Sequence, residues 1–191
     1  MARMTVQRRK DSRLPKVFMH KVADIRGGVS VNVTELGGDF LLEGAVLSAP
    51  ENGICHVVKV AVLTAQAQSS ATTFNVKKGH NFKVGDVVMA KEGGKAYPIK
   101  SINTDEKTHD VITISTKLDA QIEIGEFLIE AKSQTAGADS ALKYVPLSLA
   151  GTGKQIIPNS NLDTDAWLIG VTKGNALPEC VSKHLKGIIN Y

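Results

Sequence analysis

The chain has 191 residues, enough for one domain with a hydrophobic core or for two small domains. With 42% hydrophobic residues, 22% charged residues and 17 glycines, the composition excludes a wholly disordered or collagen-like protein. No apolar run reaches the ~20 residues that cross a bilayer, and residues 1–16 lack the apolar core of a signal peptide, so we expect neither membrane insertion nor classical secretion. Two cysteines, Cys55 and Cys180, are too few for a disulfide framework, which favours a reducing compartment.

Positive charge is concentrated at the start of the chain. Residues 1–26 hold eight basic and two acidic residues (net +6), whereas the remainder holds 15 basic and 17 acidic residues (net −2). We therefore predict a basic arm over residues 1–28. Such a segment is a solvated terminus, a ligand for nucleic-acid phosphates, or an extension that becomes ordered on an acidic protein surface. Phe18 is its only aromatic residue, which disfavours stacking on single-stranded bases.

The body of the chain has the pattern of β structure. Val29–Leu36 alternates apolar and polar residues, which predicts a strand with one buried face. His56–Ala65 is rich in valine and apolar on both faces, which predicts a strand buried on both sides. Asp110–Leu118 has isoleucines alternating with threonines and predicts a third strand. Short strands separated by glycine-rich turns are typical of a small β-barrel or a sandwich.

One turn pattern recurs three times along the chain. FKVGDVVMA, with Gly85 and Asp86, is repeated as IEIGEFLIEA, with Gly125 and Glu126, and more loosely as FLLEGAVLSA, with Gly44. Glycine permits positive φ at the bend, and the acid that follows it accepts a local backbone hydrogen bond. We interpret the three copies as similar corners that each lead into a strand.

The last third of the chain has fewer clear patterns. Residues 132–146 and 148–166 are small and polar, and we predict that both are irregular connections. Apolar residues at helical spacing then predict a short amphipathic helix that begins near Pro178 and ends before Gly187: Leu177, Cys180, Val181 and Leu185. Residues 187–191 are apolar enough to form a closing strand.

Motifs for catalysis or cofactor binding are weak. Gly151–Lys154 reads GTGK, but Gln155 follows the lysine and no helix pattern comes next, so a phosphate-binding loop is disfavoured. Cys180 and His184 are four residues apart on the predicted helix, and without a C-x-x-C pair they make a poor zinc site. We find no nucleophile elbow and predict no catalytic residue, no cofactor and no metal.

The remaining aromatic and imidazole side chains have ordinary structural explanations. The three histidines in polar segments are predicted to be surface residues in turns: His20, His80 and His109. Trp167, the single tryptophan, is expected in the core or as an interface anchor. Trp167 and Tyr191 are our candidates for a self-association interface.

The order of these segments resembles a known family. From Thr73 to Ala131 the chain reads TFNVKKGHNFKVGDVV, AYPIKSI, DVITISTKL and IEIGEFLIEA, and it continues with KYVPLSL and a final strand after LPEC. This pattern, over about the C-terminal two thirds, resembles the head-fibre or capsid-decoration proteins of tailed bacteriophages, especially those of gut Bacteroidetes hosts. The N-terminal third matches that family less clearly.

The resemblance implies a non-enzymatic virion protein on the outer face of a capsid, present in the host cytoplasm during assembly. It implies the major capsid protein as partner and a homo-oligomer, a dimer or trimer, without a small-molecule substrate, nucleic acid or membrane. We expect a basic arm (1–28), a β anchor or linker (29–70) and a decoration domain (71–191). The capsid-binding candidates are the basic residues of the arm: Arg3, Arg8, Arg9, Lys10, Arg13 and Lys16. The alternative is a nucleic-acid-binding small-barrel module that uses the same arm.

Overall fold

The computed structural model describes residues 14–158 and 160–191. They form sixteen short strands and one helix of four residues. In chain order these are β1 (Phe18–Asp24), β2 (Val29–Val31), β3 (Phe40–Leu41), β4 (Val46–Ser48), β5 (Ile54–Cys55), β6 (Val60–Val62), β7 (Thr73–Val76), β8 (Val87–Met89), β9 (Ala96–Asn103), β10 (Asp110–Ile114), β11 (Phe127–Glu130), β12 (Pro146–Ala150), β13 (Lys154–Gln155), β14 (Leu162–Thr164), β15 (Ala166–Thr172), α1 (Glu179–Ser182) and β16 (Ile188–Asn190).

The strands form four sheets. A six-stranded sheet has the order β6-β11-β8-β9-β10-β7 and is antiparallel throughout. A five-stranded sheet has the order β1-β15-β12-β4, with β16 parallel to β15. In one of the two small sheets β13 pairs with β3. In the other, β2 lies between β14 and β5 and pairs with both. The prediction of a mainly β protein with a short C-terminal helix is confirmed, and the sheets do not close into a barrel.

Strands from distant parts of the chain share these sheets. β2, β4 and β6, which come from residues 29–70, pair with β14, β12 and β11 from the later part of the chain. β1, within the segment that we predicted as an arm, pairs along its whole length with β15. Residues 18–24 of the predicted arm are therefore a strand of the five-stranded sheet.

The core follows from the alternation of side chains along these strands. Inward residues of the six-stranded sheet form the largest apolar cluster, around Phe74, Ile112 and Leu128. A second cluster around Leu47 joins the small sheets to the five-stranded sheet. A third, around Leu149, is covered by the short helix through Val181.

Three of the predicted elements have shorter bounds than expected. In Val29–Leu36 only the first three residues form a strand, β2. In His56–Ala65 the strand is limited to the central residues Val60–Val62, and in Asp110–Leu118 it consists of the first five residues. Within the second segment, residues 56–63 are buried or half-buried on both faces, whereas Thr64 is exposed. The helix begins after Pro178, as predicted, but ends at Ser182.

The prediction for residues 148–166 is wrong. This segment contains most of β12, then β13 and β14 and the first residue of β15, rather than an irregular connection. Within it β13 and β14 are only two and three residues long, and their partners, β3 and β2, lie far away in the chain. A period-two pattern needs about four to eight residues to be recognised, so these pieces carry no local signal.

Candidate interaction surface

The five-stranded sheet has an apolar and exposed outer face where β1, β15 and β16 lie side by side. Ile189 on β16 is paired with Val171 on β15, so their side chains are on the same face. Ile169 precedes Val171 by two residues and shares this face, as does Tyr191, two residues after Ile189.

Strand β1, which pairs with β15, carries two further exposed apolar side chains, Met19 and Val22. Ala23 on β1 is the partner of Ile169, and a register shift leaves Val22, directly before it, as an extra residue. A second register shift leaves Met19 as an extra residue before His20. Such bulges bend an edge strand and re-aim its side chains. They also break the period-two pattern, which is why the sequence FMHKVAD gave no strand signal.

Five exposed apolar side chains, on these three strands and at the residue that follows β16, make up what we call the outer patch: Met19 (53% exposed), Val22 (67%), Ile169 (46%), Ile189 (64%) and Tyr191 (63%). Single exposed apolar residues are common on proteins, but a contiguous group of them is typical of a protein–protein contact. Except for Tyr191, the sequence analysis did not identify these residues. In the sequence, the apolar residues of the closing segment 187–191 are the only local signal that could have indicated the outer patch.

Trp167, our other interface candidate, is half-buried and held by contacts within the chain. Its Nε1–H donates to Asp165 Oδ2 at 2.8 Å, and its ring lies 5.3 Å from Lys21 Nζ and 6.3 Å from the ring of Phe18. Burial raises the pKa of Asp165, but the hydrogen bond from Trp167 and the charge of Lys21 outweigh it, so the net pKa is lowered. Trp167 therefore stabilises the junction of β1 with β15.

The beginning of β1 is fixed by one of the three recurrent corners. The backbone N–H groups of Val17 and Phe18 donate to Glu43 Oε1 at 3.1 and 2.8 Å. Lys16, directly before them, is exposed. The other capsid-binding candidates lie outside the described residues: Arg3, Arg8, Arg9, Lys10 and Arg13. Along the chain Lys16 is thus three residues before Met19, the first residue of the outer patch.

A second set of chemistry-bearing side chains is buried. Lys59 has a fully buried side chain, and its Nζ lies 2.6 Å from Asp86 Oδ2 and 3.3 Å from Glu130 Oε1. Glu130 also accepts a hydrogen bond from Lys143 Nζ at 2.9 Å. The sequence analysis missed these residues, although Lys59 and Glu130 each interrupt an apolar run. A lysine in a strand predicted to be buried on both sides needs a carboxylate partner.

Lys143 connects this cluster to a second group at Glu35. Glu35 Oε2 accepts a hydrogen bond from the Tyr144 hydroxyl at 2.8 Å, and Glu35 Oε1 lies 2.8 Å from His56 Nδ1. The rings of His56 and Tyr144 stack on each other. Burial raises the pKa of Glu35, but the Tyr144 hydrogen bond and the charges of His56 and Lys143 outweigh it and lower the net pKa. These contacts of Glu35 join three distant parts of the chain.

The histidine predictions are partly wrong. The side chain of His80 is only 7% exposed, and its Nε2 lies 3.5 Å from Asp110 Oδ2. His20 is exposed, but on strand β1 and not in a turn, and His109 is half-buried. His80 follows Gly79 in a polar stretch, which is why the sequence indicated a surface turn.

Comparison with other proteins gives no family, since no protein-family model, no curated protein and no solved structure matches the chain. Residues 14–158 and 160–191 contain no group of three side chains arranged to hold a metal ion. Nor does any helix within these ranges have the length and apolar character to cross a membrane.

Proposed function

We propose that the chain is a non-catalytic structural protein of a phage virion that decorates the outer face of the capsid. In this proposal the outer patch joins copies of the chain into a homo-oligomer, and the basic arm of each copy binds the major capsid protein. The resemblance of Thr73–Ala131 to head-fibre and decoration proteins supports the virion role. The mainly β fold, built from many short strands, is consistent with a rigid surface module.

The observation that carries the proposal is the position of the outer patch relative to the arm. Met19 and Val22 of the patch lie on β1, and β1 continues the basic segment after only four described residues. Copies that associate through the patch therefore bring their arms close together. In this arrangement, association through the patch presents several arms to the capsid at once.

Weak ionic contacts explain why oligomerisation matters. An exposed ion pair contributes only ~0 to 1 kcal/mol, so the arm of a single copy would bind an acidic surface loosely. Linking two or three arms raises the effective concentration of the second and third contacts, and avidity increases without any new interaction. We therefore expect capsid binding to require both the arm and the patch.

The test uses capsids that lack this protein and measures how much of it they bind. Replacing four arm residues, Arg8, Arg9, Lys10 and Arg13, with serine should abolish binding. The matched control replaces four exposed lysines of the body with serine: Lys91, Lys100, Lys107 and Lys132. The control removes the same charge and should bind as the wild type does. Equal capsid occupancy by the arm variant and the wild type would contradict the proposal.

The second candidate function is nucleic-acid binding, favoured by the net charge of +6 within residues 1–26. Phosphate neutralisation releases counterions, so its affinity would fall steeply and linearly with salt on a logarithmic scale. A salt titration with duplex and single-stranded oligonucleotides separates the two functions. Tight binding with that slope, together with no binding to capsids, would favour the alternative.

A further inference from the structure

The six-stranded sheet brings one lysine and two carboxylates to the same face. Val60 pairs with Ile129, so Lys59 and Glu130 are direct neighbours across β6 and β11. Glu130 in turn pairs with Val88 on β8, and Asp86 lies two residues before Val88. Because side chains two residues apart in a strand point the same way, the three groups converge, with Glu130 on the central strand.

The contacts within this group are short and shielded from water. Lys59 Nζ lies 2.6 Å from Asp86 Oδ2 and 3.3 Å from Glu130 Oε1, and the side chains of Lys59 and Glu130 are 0% and 2% exposed. Glu130 Oε2 is buried and accepts no hydrogen bond from the described residues. The lysine nitrogen is therefore held against a carboxyl group, with a second carboxyl beside it.

Burial changes the chemistry available to these groups. Removing a lysine and a carboxylate from water costs free energy, which the contact between them has to offset. For Glu130 burial raises the pKa, against the opposing charges of Lys59 and Lys143. A neutral amine is a nucleophile, and a carboxyl group beside it that accepts and then donates a proton is a general acid–base catalyst.

We propose that Lys59 and Asp86 condense to an intramolecular amide bond, with Glu130 as the catalytic proton carrier. The proton of the Lys59 ammonium passes to the Asp86 carboxylate through Glu130, which leaves an amine and a carboxylic acid. The amine nitrogen attacks Cγ of Asp86, and Glu130 takes a proton from that nitrogen. Glu130 then donates the proton to the departing hydroxyl group, the C–O bond breaks, and one water molecule leaves. No oxidant or other reagent is needed.

Two features favour this reaction here. The fold holds the reacting nitrogen and the carboxyl group in contact, so the reaction does not incur the entropy cost of an encounter between separate molecules. The apolar side chains that share this face of the central strands, Ala61, Val88 and Leu128, belong to the largest apolar cluster and help to keep water from the charged starting pair. The bond would join β6 to β8 across β11 and give the sheet a covalent tie, whatever the role of the protein on a capsid.

The chain contains an internal comparison. Lys78 Nζ lies 2.6 Å from Asp110 Oδ1, the same separation as in the Lys59–Asp86 pair. The Lys78 side chain is 39% exposed, however, and among the described residues its pair is joined by His80 and not by a second carboxylate. Without burial of the amine and without a carboxyl proton carrier, we expect this pair to remain ionic.

The experiment is the intact mass of the purified full-length protein after denaturation, followed by a peptide map. We expect the mass to be lower than that of the sequence by one water molecule. The map should contain a branched peptide that joins Lys59 to Asp86, whereas Lys78 and Asp110 should be in separate, unmodified peptides. Lys59→Met and Glu130→Gln should have the full mass, and the matched control Lys78→Met should still lose one water.

The wild-type measurement decides the matter even if a variant fails to fold. A folded wild-type protein with the full mass, after incubation from acidic to alkaline pH, would overturn the proposal. So would a loss of water without a branched peptide, which is the mark of a succinimide, or a branch from Lys59 to Glu130. Formation of the bond in a folded Glu130→Gln variant would overturn the role of Glu130.

Discussion

The indole of Trp167 lies directly against Gly151. A Cβ at position 151 would be 2.1 Å from the indole Nε1 and 2.3 Å from Asp165 Oδ2. Gly151 has an ordinary backbone conformation, so its importance is the space that it leaves and not its flexibility. The close approach allows the hydrogen bond from Trp167 to Asp165, next to the ammonium group of Lys21.

Gly151→Ala should displace the indole and destabilise the junction of β1 with β15. Overpacking of this kind costs about 1–3 kcal/mol in the free energy of unfolding. Urea denaturation measures the loss, and the fluorescence of the single tryptophan reports the displaced ring. Gly137→Ala is the control, because Gly137 is exposed, the nearest atoms belong to the polar side chains of Asp139 and Thr135, and the expected change is within about 0.5 kcal/mol. Equal effects of the two changes would contradict this interpretation.

Charged residues on the outer patch should disrupt self-association. Ile169→Glu with Ile189→Glu places two carboxylates on the apolar face, where the partner surface would have to desolvate them. We expect the wild type to sediment as a dimer or trimer and the double variant as a monomer. Ile124→Glu is the matched control, since Ile124 is as exposed (68%) but lies on a corner away from the patch. A wild type that is monomeric at high concentration would contradict the proposed interface.

The three recurrent corners show what could be predicted from local chemistry. Gly44, Gly85 and Gly125 all have positive φ, between 83° and 94°, as the sequence indicated. Asp86 and Glu126 each accept a hydrogen bond from the backbone N–H three residues earlier, at 2.8 and 2.7 Å. The conformation of a tight turn depends on a few adjacent residues, so the sequence is sufficient to predict it.

The outer patch and the buried charge cluster depend on distant pairings and could not be predicted in this way. Ile169 and Val22 become neighbours only through a register that includes bulges. Lys59 and Glu130 were visible as charges within apolar runs, but their meeting requires β6 to pair with β11. Local periodicity indicates that a strand exists and gives no information about its partner.

The two acidic corners should respond differently to the same substitution. Glu126 is exposed, and its carboxylate mainly closes its own turn, so Glu126→Ala should cost about 1 kcal/mol in the free energy of unfolding. Asp86 closes its turn and is also the partner of the buried Lys59, so Asp86→Ala leaves the lysine buried without a partner whether the pair is ionic or has formed the amide bond. Removing one partner of a buried charged pair costs about 3–5 kcal/mol. Asp86→Ala should therefore lower the urea midpoint much more. Similar midpoints for the two variants would show that Lys59 does not depend on Asp86.

His80 should make the protein less stable as the pH falls. Burial lowers the pKa of His80, and the charge of Asp110 opposes this effect without cancelling it. The unfolded chain therefore binds a proton below the ordinary histidine pKa of about 6.5, while the native state does not bind it until the pH reaches the lower native pKa. The stability linked to His80 is complete above about pH 6.5 and decreases below it, by at most about 1.4 kcal/mol per pH unit.

Replacing His80 with asparagine isolates this effect. His80→Asn retains an acceptor for the backbone N–H of Phe82, which donates to His80 Nδ1 at 3.0 Å, but asparagine does not titrate. We expect urea unfolding between pH 7 and pH 5 to show a smaller loss of stability for the variant than for the wild type. His20→Asn, at an exposed position on β1, should follow the wild-type curve. If the His80→Asn and wild-type curves are parallel over this range, His80 is protonated equally in the native and unfolded states, and its burial has no energetic consequence for folding.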